Sequence, residues 1–115
     1  MKIIAPRLHG FIDYILVVFL LLSPTLFGMT GLLANLTYAL GAIHLLLTVF
    51  TGFSLGVIKV VPFPIHGLIE LVVGIALIVC AFTLFRMHTL GHFFYAGLGI
   101  AVLLVWILTD YNKKD

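Results

Sequence analysis

Four apolar runs, each near the length of a bilayer crossing, constrain this chain more than any other feature. A hydrocarbon core of about 30 Å takes about 20 helical residues, and residues 9–27, 33–55, 65–85 and 92–108 qualify. The segments between them carry helix-ending residues. Gly28-Met29-Thr30-Gly31 reads as a tight turn. Val61-Pro62-Phe63-Pro64 cannot continue a helix, while Pro64 suits the first turn of the next one. Arg86-Met87-His88-Thr89 is a polar outer connection. The expected fold is an all-α membrane protein, one domain over 1–115 with four transmembrane helices. Composition points the same way. Of the 115 residues 63% are hydrophobic and 9% charged, whereas a soluble domain is about half apolar and about a quarter charged. A chain this short has too small an interior to hide that much apolar surface from water. The first run is read as a helix of the mature protein and not as a signal peptide, because Ser23-Pro24-Thr25-Leu26-Phe27 offers no small-x-small cleavage site.

With four spans, both termini and the second connection share one side. That side carries Lys2, Arg7, Lys59, Lys113 and Lys114, against Arg86 alone on the other. The bias predicts a multi-pass protein with both termini in the cytoplasm, and Trp106 and Tyr111 suit an aromatic belt near that face. The net charge is +2, with no basic run long enough to track phosphates. Nucleic acid is therefore not an expected partner, and the lipid bilayer is. Cys80 stands alone in an apolar run and reads as a small apolar side chain.

Shifted by 57 residues, the chain resembles itself. His9-Gly10-Phe11-Ile12-Asp13 falls on His66-Gly67-Leu68-Ile69-Glu70, Tyr38-Ala39 on Tyr95-Ala96, Ile43 on Ile100, and Leu46-Leu47 on Leu103-Leu104. Histidine, glycine and carboxylate are rare in spans, so their coincidence is the informative part. The expectation is a tandem duplication of a two-helix unit, repeat one over about 1–57 and repeat two over about 58–115. Two spans per unit insert both copies in the same orientation. A pseudo-twofold axis along the membrane normal follows.

The stretches Leu8-His9-Gly10-Phe11-Ile12-Asp13-Tyr14, Leu22-Ser23-Pro24-Thr25-Leu26-Phe27-Gly28, Leu55-Gly56-Val57-Ile58-Lys59-Val60-Val61-Pro62 and Leu108-Thr109-Asp110-Tyr111 resemble the SPW-repeat family of small bacterial integral membrane proteins. The likeness covers nearly the whole chain. That family's Ser-Pro-Trp motif stands here as Ser23-Pro24-Thr25 in the first copy and as Cys80-Ala81-Phe82 in the second. The resemblance implies a four-span bundle in the bacterial cytoplasmic (inner) membrane and brings no activity with it.

Two constellations are candidates for chemistry. His9 and Asp13 are four residues apart, as are His66 and Glu70, and on a helix that spacing puts each pair on one face. Under the repeat, both pairs lie at equal depth near the cytoplasmic ends of the first and third helices. Two histidines and two carboxylates form a set suited to a divalent transition metal or to a proton site. The plain alternative is a structural lock, in which each histidine bonds its acid and the acids favour the helix starts. Ionisable groups in spans are costly and mark functional candidates. Gly10 and Gly67 read as points of close helix approach.

The second constellation is a polar stripe on the second helix: Thr37, Gly41, His44, Thr48 and Thr51. His44 is expected near the midplane, as a candidate cofactor-binding imidazole for haem b, a quinone or protons. The alternative is that the threonines bond their own helix carbonyls. Shifted by 57, the stripe becomes Phe94, Leu98, Ala101, Val105 and Leu108, all apolar. Haem ligation wants two histidines at matched depth on facing helices. His9 and His66 match but lie near the surface, His92 starts the fourth helix at the outer side, and His44 would need its copy in a homodimer.

No hydrolase elbow, phosphate loop, Cys-x-x-Cys pair or zinc-protease motif is present, and catalysis is not the expected role. The leading expectation is a non-enzymatic accessory or scaffold subunit working with other membrane subunits or as a homo-oligomer. The alternatives are a metal- or haem-binding protein using the His/carboxylate cluster, and an oligomeric proton or ion pathway.

Overall fold

A computed structural model describes residues 2–113; Lys114, one of the five cations in the charge argument, lies outside them. Four helices are present: α1 (Pro6–Leu26), α2 (Gly31–Val49), α3 (Phe63–Phe82) and α4 (Thr89–Leu108). All four are long and apolar enough to cross a membrane. Proline sits in the first turn of α1 and of α3, where its missing N–H costs nothing. Gly28 and Gly31 both take positive φ in the α1–α2 turn, at 64° and 58°, a region open to glycine and strained for other side chains.

Helix α1 packs along α2, and α3 along α4. In the second pair the backbones nearly touch, because a Cβ on Gly99 would lie 2.8 Å from the Gly74 carbonyl oxygen. The two hairpins meet through a core that includes Leu20, Leu33, Leu77, Ala81, Tyr95 and Leu98. Tyr95 is fully buried, and its hydroxyl lies 3.0 Å from Thr37 Oγ1, which donates to Leu33 O at 2.7 Å. The outward side chains are apolar, among them Ile15, Val72, Phe93 and Leu104.

Every helix starts two or three residues earlier than the sequence expectation, and two of them stop three or more residues short of it. Helix α2 stops at Val49, six residues before the expected 55. The carbonyls of Val49 and Phe50 accept from the N–H groups of Val57, Ile58, Val60 and Val61, which replace the next helical turn. The returning chain forms a short parallel pairing of β1 (Thr51–Gly52) with β2 (Val61–Pro62), in register Thr51↔Val61. A Cβ at Gly56 would collide with the Thr51 carbonyl, so the loop requires glycine there. Helix α3 stops at Phe82 instead of 85, with Thr83 Oγ1 donating back to Val79 O at 2.7 Å and Phe85 N–H to Cys80 O.

The bundle's other parallel contact is Ile4↔Thr109, which joins the entry of α1 to the exit of α4. Ile4 N–H donates to Leu108 O, and Asp110 N–H to Ile4 O, both at 2.9 Å. Thus the entry of each odd-numbered helix is bonded to the exit of an even-numbered helix in the other hairpin. Both junctions lie at the end of the bundle that holds the histidine–carboxylate pairs.

Candidate metal centre

His9 and Asp13 lie in the first two turns of α1, and His66 and Glu70 in the corresponding turns of α3. All four are at least 96% buried. All four side chains meet, each offering a ligand atom within 4.8 Å of the others. His66 Nε2 is 3.0 Å from Glu70 Oε1 and 3.0 Å from Asp13 Oδ2. His9 Nε2 is 3.0 Å from Glu70 Oε2 and 3.2 Å from Asp13 Oδ2. Each imidazole therefore reaches both carboxylates, its own helix's and the other's.

The histidine tautomers follow from counting hydrogens. His9 Nδ1 lies 2.8 Å from Thr109 Oγ1, and His66 Nδ1 lies 2.7 Å from Thr51 Oγ1. Each threonine hydroxyl already donates its single hydrogen down its own helix, Thr109 to Val105 O and Thr51 to Leu47 O. The imidazoles must then be the donors, through Nδ1–H. That leaves Nε2 of each neutral ring as a bare lone pair aimed at carboxylate oxygens, and something positive must sit between them. Either protons sit there, on the rings or on the carboxyl groups, or a metal cation occupies the centre.

Alignment bears on that choice. A ring proton on either Nε2 lines up with Glu70 Oε1, 3.2 Å from His9 and 3.0 Å from His66. Asp13 Oδ2, despite two close nitrogens, has no well-aligned hydrogen bond and is fully buried, so ring protons serve Glu70 and leave Asp13 Oδ2 unpartnered. Ligands bonded to a metal at about 2.1 Å stand about 3.0 Å apart at cis positions of an octahedron and about 3.4 Å in a tetrahedron. The nitrogen–oxygen spacings of 3.0–3.2 Å fit that geometry and N–H···O hydrogen bonds alike; the unpartnered Asp13 oxygen is what favours a cation.

His44 belongs to this site and not to a separate midplane stripe. Its Nε2 lies 3.2 Å from Asp13 Oδ1, also without a well-aligned hydrogen bond. The early end of α2 is the reason. With Val49 as the last helical residue, His44 stands about 7.5 Å from the helix end at 1.5 Å per residue, within about one turn of the roughly 10.5 Å that separates Asp13 and Glu70 from theirs. The recess that His44 lines has a volume of about 60 Å³, far below the roughly 300 Å³ of the smallest organic-ligand pockets. Haem b does not fit there. The stripe threonines do bond the carbonyls of α2: Thr48 donates to His44 O, Thr37 to Leu33 O, and Thr51, just past the helix end, back to Leu47 O. His92 is remote, donating from Nδ1 to Ala81 O at the far end of α3.

Three contributors went unrecognised in the sequence. Thr51 and Thr109 set the tautomers. Tyr111 donates its hydroxyl to Glu70 Oε2 at 3.1 Å and packs its ring where a Cβ on Gly67 would clash. Burial and the adjacent Glu70 carboxylate push the Tyr111 phenol up, so it stays a donor. A readable signal existed. Thr51 and Thr109 are 58 residues apart, not 57, and so are Thr37 and Tyr95, Gly41 and Gly99, and Phe53 and Tyr111. At that offset the stripe maps onto Tyr95, Gly99, Val102, Trp106 and Thr109, so it is not wholly replaced by apolar residues.

No protein-family model, curated protein or solved structure matches this chain.

Proposed function

We propose that this chain is a multi-pass membrane protein that holds one divalent transition-metal ion between its two hairpins. His9, His66, Asp13 and Glu70 are the ligands, and His44 is an adjacent fifth donor. The observation that carries the reading is the commitment of both Nδ1 hydrogens to threonine, which leaves two Nε2 lone pairs facing two buried carboxylates. A dication makes that set neutral, whereas two unpaired carboxylates would carry a desolvation cost of several kcal/mol each. Imidazole with carboxylate suits zinc, iron, manganese or copper. An acceptor on the far ring nitrogen is the usual way a ligating histidine is oriented, and here a threonine hydroxyl takes that place. A pure accessory or scaffold subunit, the leading expectation from sequence, needs no such cluster.

The same reading includes a parallel duplication with its pseudo-twofold axis along the membrane normal and through the site. The matched bonds support it: Ile4 with Thr109 as Val61 with Thr51, and His9 with Thr109 as His66 with Thr51. We keep the likeness to the SPW-repeat proteins, and with it the bacterial inner membrane, as part of this proposal. The five-to-one cation bias supports cytoplasmic termini. Reporter fusions after Lys59 and Lys114 are expected to read cytoplasmic and one at His88 periplasmic; a periplasmic carboxy-terminal fusion would reverse the orientation.

The metal itself is tested by elemental analysis of protein purified in detergent without chelator, then reloaded with cobalt(II). The expected result is one metal per chain and visible d–d absorption of a nitrogen/oxygen site. Metal-free protein that takes up no cobalt would leave the cluster as a proton-holding or structural network.

A further inference from the structure

Two recesses flank the centre and share one wall, made of Leu16, Glu70, Leu98 and Val102. Between α2 and α3, the 60 Å³ recess is lined by Leu40, Ile43, His44 and Leu47 facing Ile69 and Val73. Between α1 and α4, a second recess of about 80 Å³ is lined by Leu98, Ala101, Val102 and Val105 facing Ile12 and Leu16. Position by position these walls correspond: Ile12 with Ile69 and Leu16 with Val73 at an offset of 57, and Leu40, Ile43, His44 and Leu47 with Leu98, Ala101, Val102 and Val105 at 58. The exception in chemistry is His44, whose counterpart is Val102. On one side an imidazole reaches the centre. On the other, where an imidazole would stand, there is apolar space, with Asp13 and Glu70 at its inner wall.

We propose that this α1–α4 recess is a binding place for a small uncharged diatomic molecule on the open face of the metal, a proposal that rests on the metal reading above. Size and lining decide the ligand class. A recess of about 80 Å³ holds two or three molecules of water size, whose share of liquid volume is about 30 Å³. Ordered water needs two to four polar partners, and beyond the two carboxylates this wall offers only Ile, Leu, Ala and Val. An anion would have to leave water for an apolar wall with no basic side chain to meet it. A neutral apolar diatomic has neither difficulty, and it dissolves readily in the hydrocarbon that the outward faces of α1 and α4 are built to meet. The arrangement also matches what a reactive metal centre requires, in which protein ligands leave one position free.

The test uses nitric oxide as the probe on detergent-purified protein loaded anaerobically with iron(II), read by the electron paramagnetic resonance and visible spectra of the ferrous nitrosyl. Val105→Phe fills the recess, Ala101→Leu fills it more gently, and Leu47→Phe fills the opposite recess as a control; none of these three lines both recesses. Iron content is measured in every variant. The expected result is a nitrosyl in the parent and in Leu47→Phe. Its affinity should fall by about tenfold or more in Val105→Phe and Ala101→Leu with iron retained, as overpacking an occupied site would produce. If Val105→Phe does not assemble, Ala101→Leu carries the comparison. A parent that holds iron but forms no nitrosyl overturns the recess proposal while leaving the metal centre standing. So does undiminished nitrosyl formation in the filled variants. A parent that takes up no iron, cobalt or other divalent metal overturns both.

Discussion

The first hairpin answers its carboxylate with an imidazole and the second answers its carboxylate with a phenol. Asp13 meets His44 from α2, and Glu70 meets Tyr111 from the segment beyond α4. Around this difference the halves agree in detail: each holds a histidine whose Nδ1 is bound by a threonine of the other hairpin, and each has a glycine one residue later under an aromatic ring, Phe53 over Gly10 and Tyr111 over Gly67. The shared parts hold and orient the ligands. The unshared parts make the centre lopsided, with a third nitrogen on one flank and open apolar space on the other. Under the proposed duplication, a few such substitutions suffice to give one of two equivalent positions to the protein and the other to the proposed ligand.

The largest test of the shared part is removal of a ring. His9→Ala and His66→Ala should each bring metal content to background, by more than the roughly hundredfold ceiling of outer-shell changes, and by similar amounts. A protein that keeps its metal without one of them would break the equivalence of the halves. Next come the threonines. Thr51→Val and Thr109→Val free the tautomer without touching a ligand atom, and each should weaken cobalt affinity by about 10- to 100-fold. Unequal losses would show that one histidine dominates.

Coupling between the carboxylates is a smaller effect but separates the readings better. In a double-mutant cycle on thermal or denaturant stability, Asp13→Asn and Glu70→Gln should show an interaction of about 1 kcal/mol or more if they share a centre. Additivity to within roughly 0.3–0.5 kcal/mol, together with a metal-free parent, would reduce the cluster to two separate helix locks. The smallest expected change is Tyr111→Phe. It deletes one hydrogen bond to a carboxylate and should cost about 1–2 kcal/mol of stability, with metal still bound. Loss of metal in that variant would make Tyr111 more than a support.

The helices were legible in the sequence because an apolar run of about 20 residues has few other uses. The four cluster residues were legible because histidine and carboxylate four apart, twice, at one offset, cannot be explained by hydropathy. What stayed hidden depends on bonds between distant segments. The end of α2 at Val49 is set by N–H groups of residues 57–61, which no local propensity encodes, and the depth of His44 was misjudged for the same reason. Thr109 and Tyr111 escaped because the first helices of the two units match at 57 residues and the second helices at 58. A single offset aligned Tyr38 with Tyr95, whereas Tyr95 bonds Thr37, the residue 58 positions before it.

The bond between His9 and Thr109 spans 100 residues, and its consequence falls on biosynthesis. His9 leaves the ribosome early, but the hydroxyl that orients its ring is made a hundred residues later. At about 5–20 residues per second, the nascent protein spends several seconds with a cluster it cannot yet complete. Under the proposed metal reading, metal capture would therefore report that the fourth helix has arrived and docked, and a chain cut short before Thr109 would carry every proposed ligand yet lack the oriented His9.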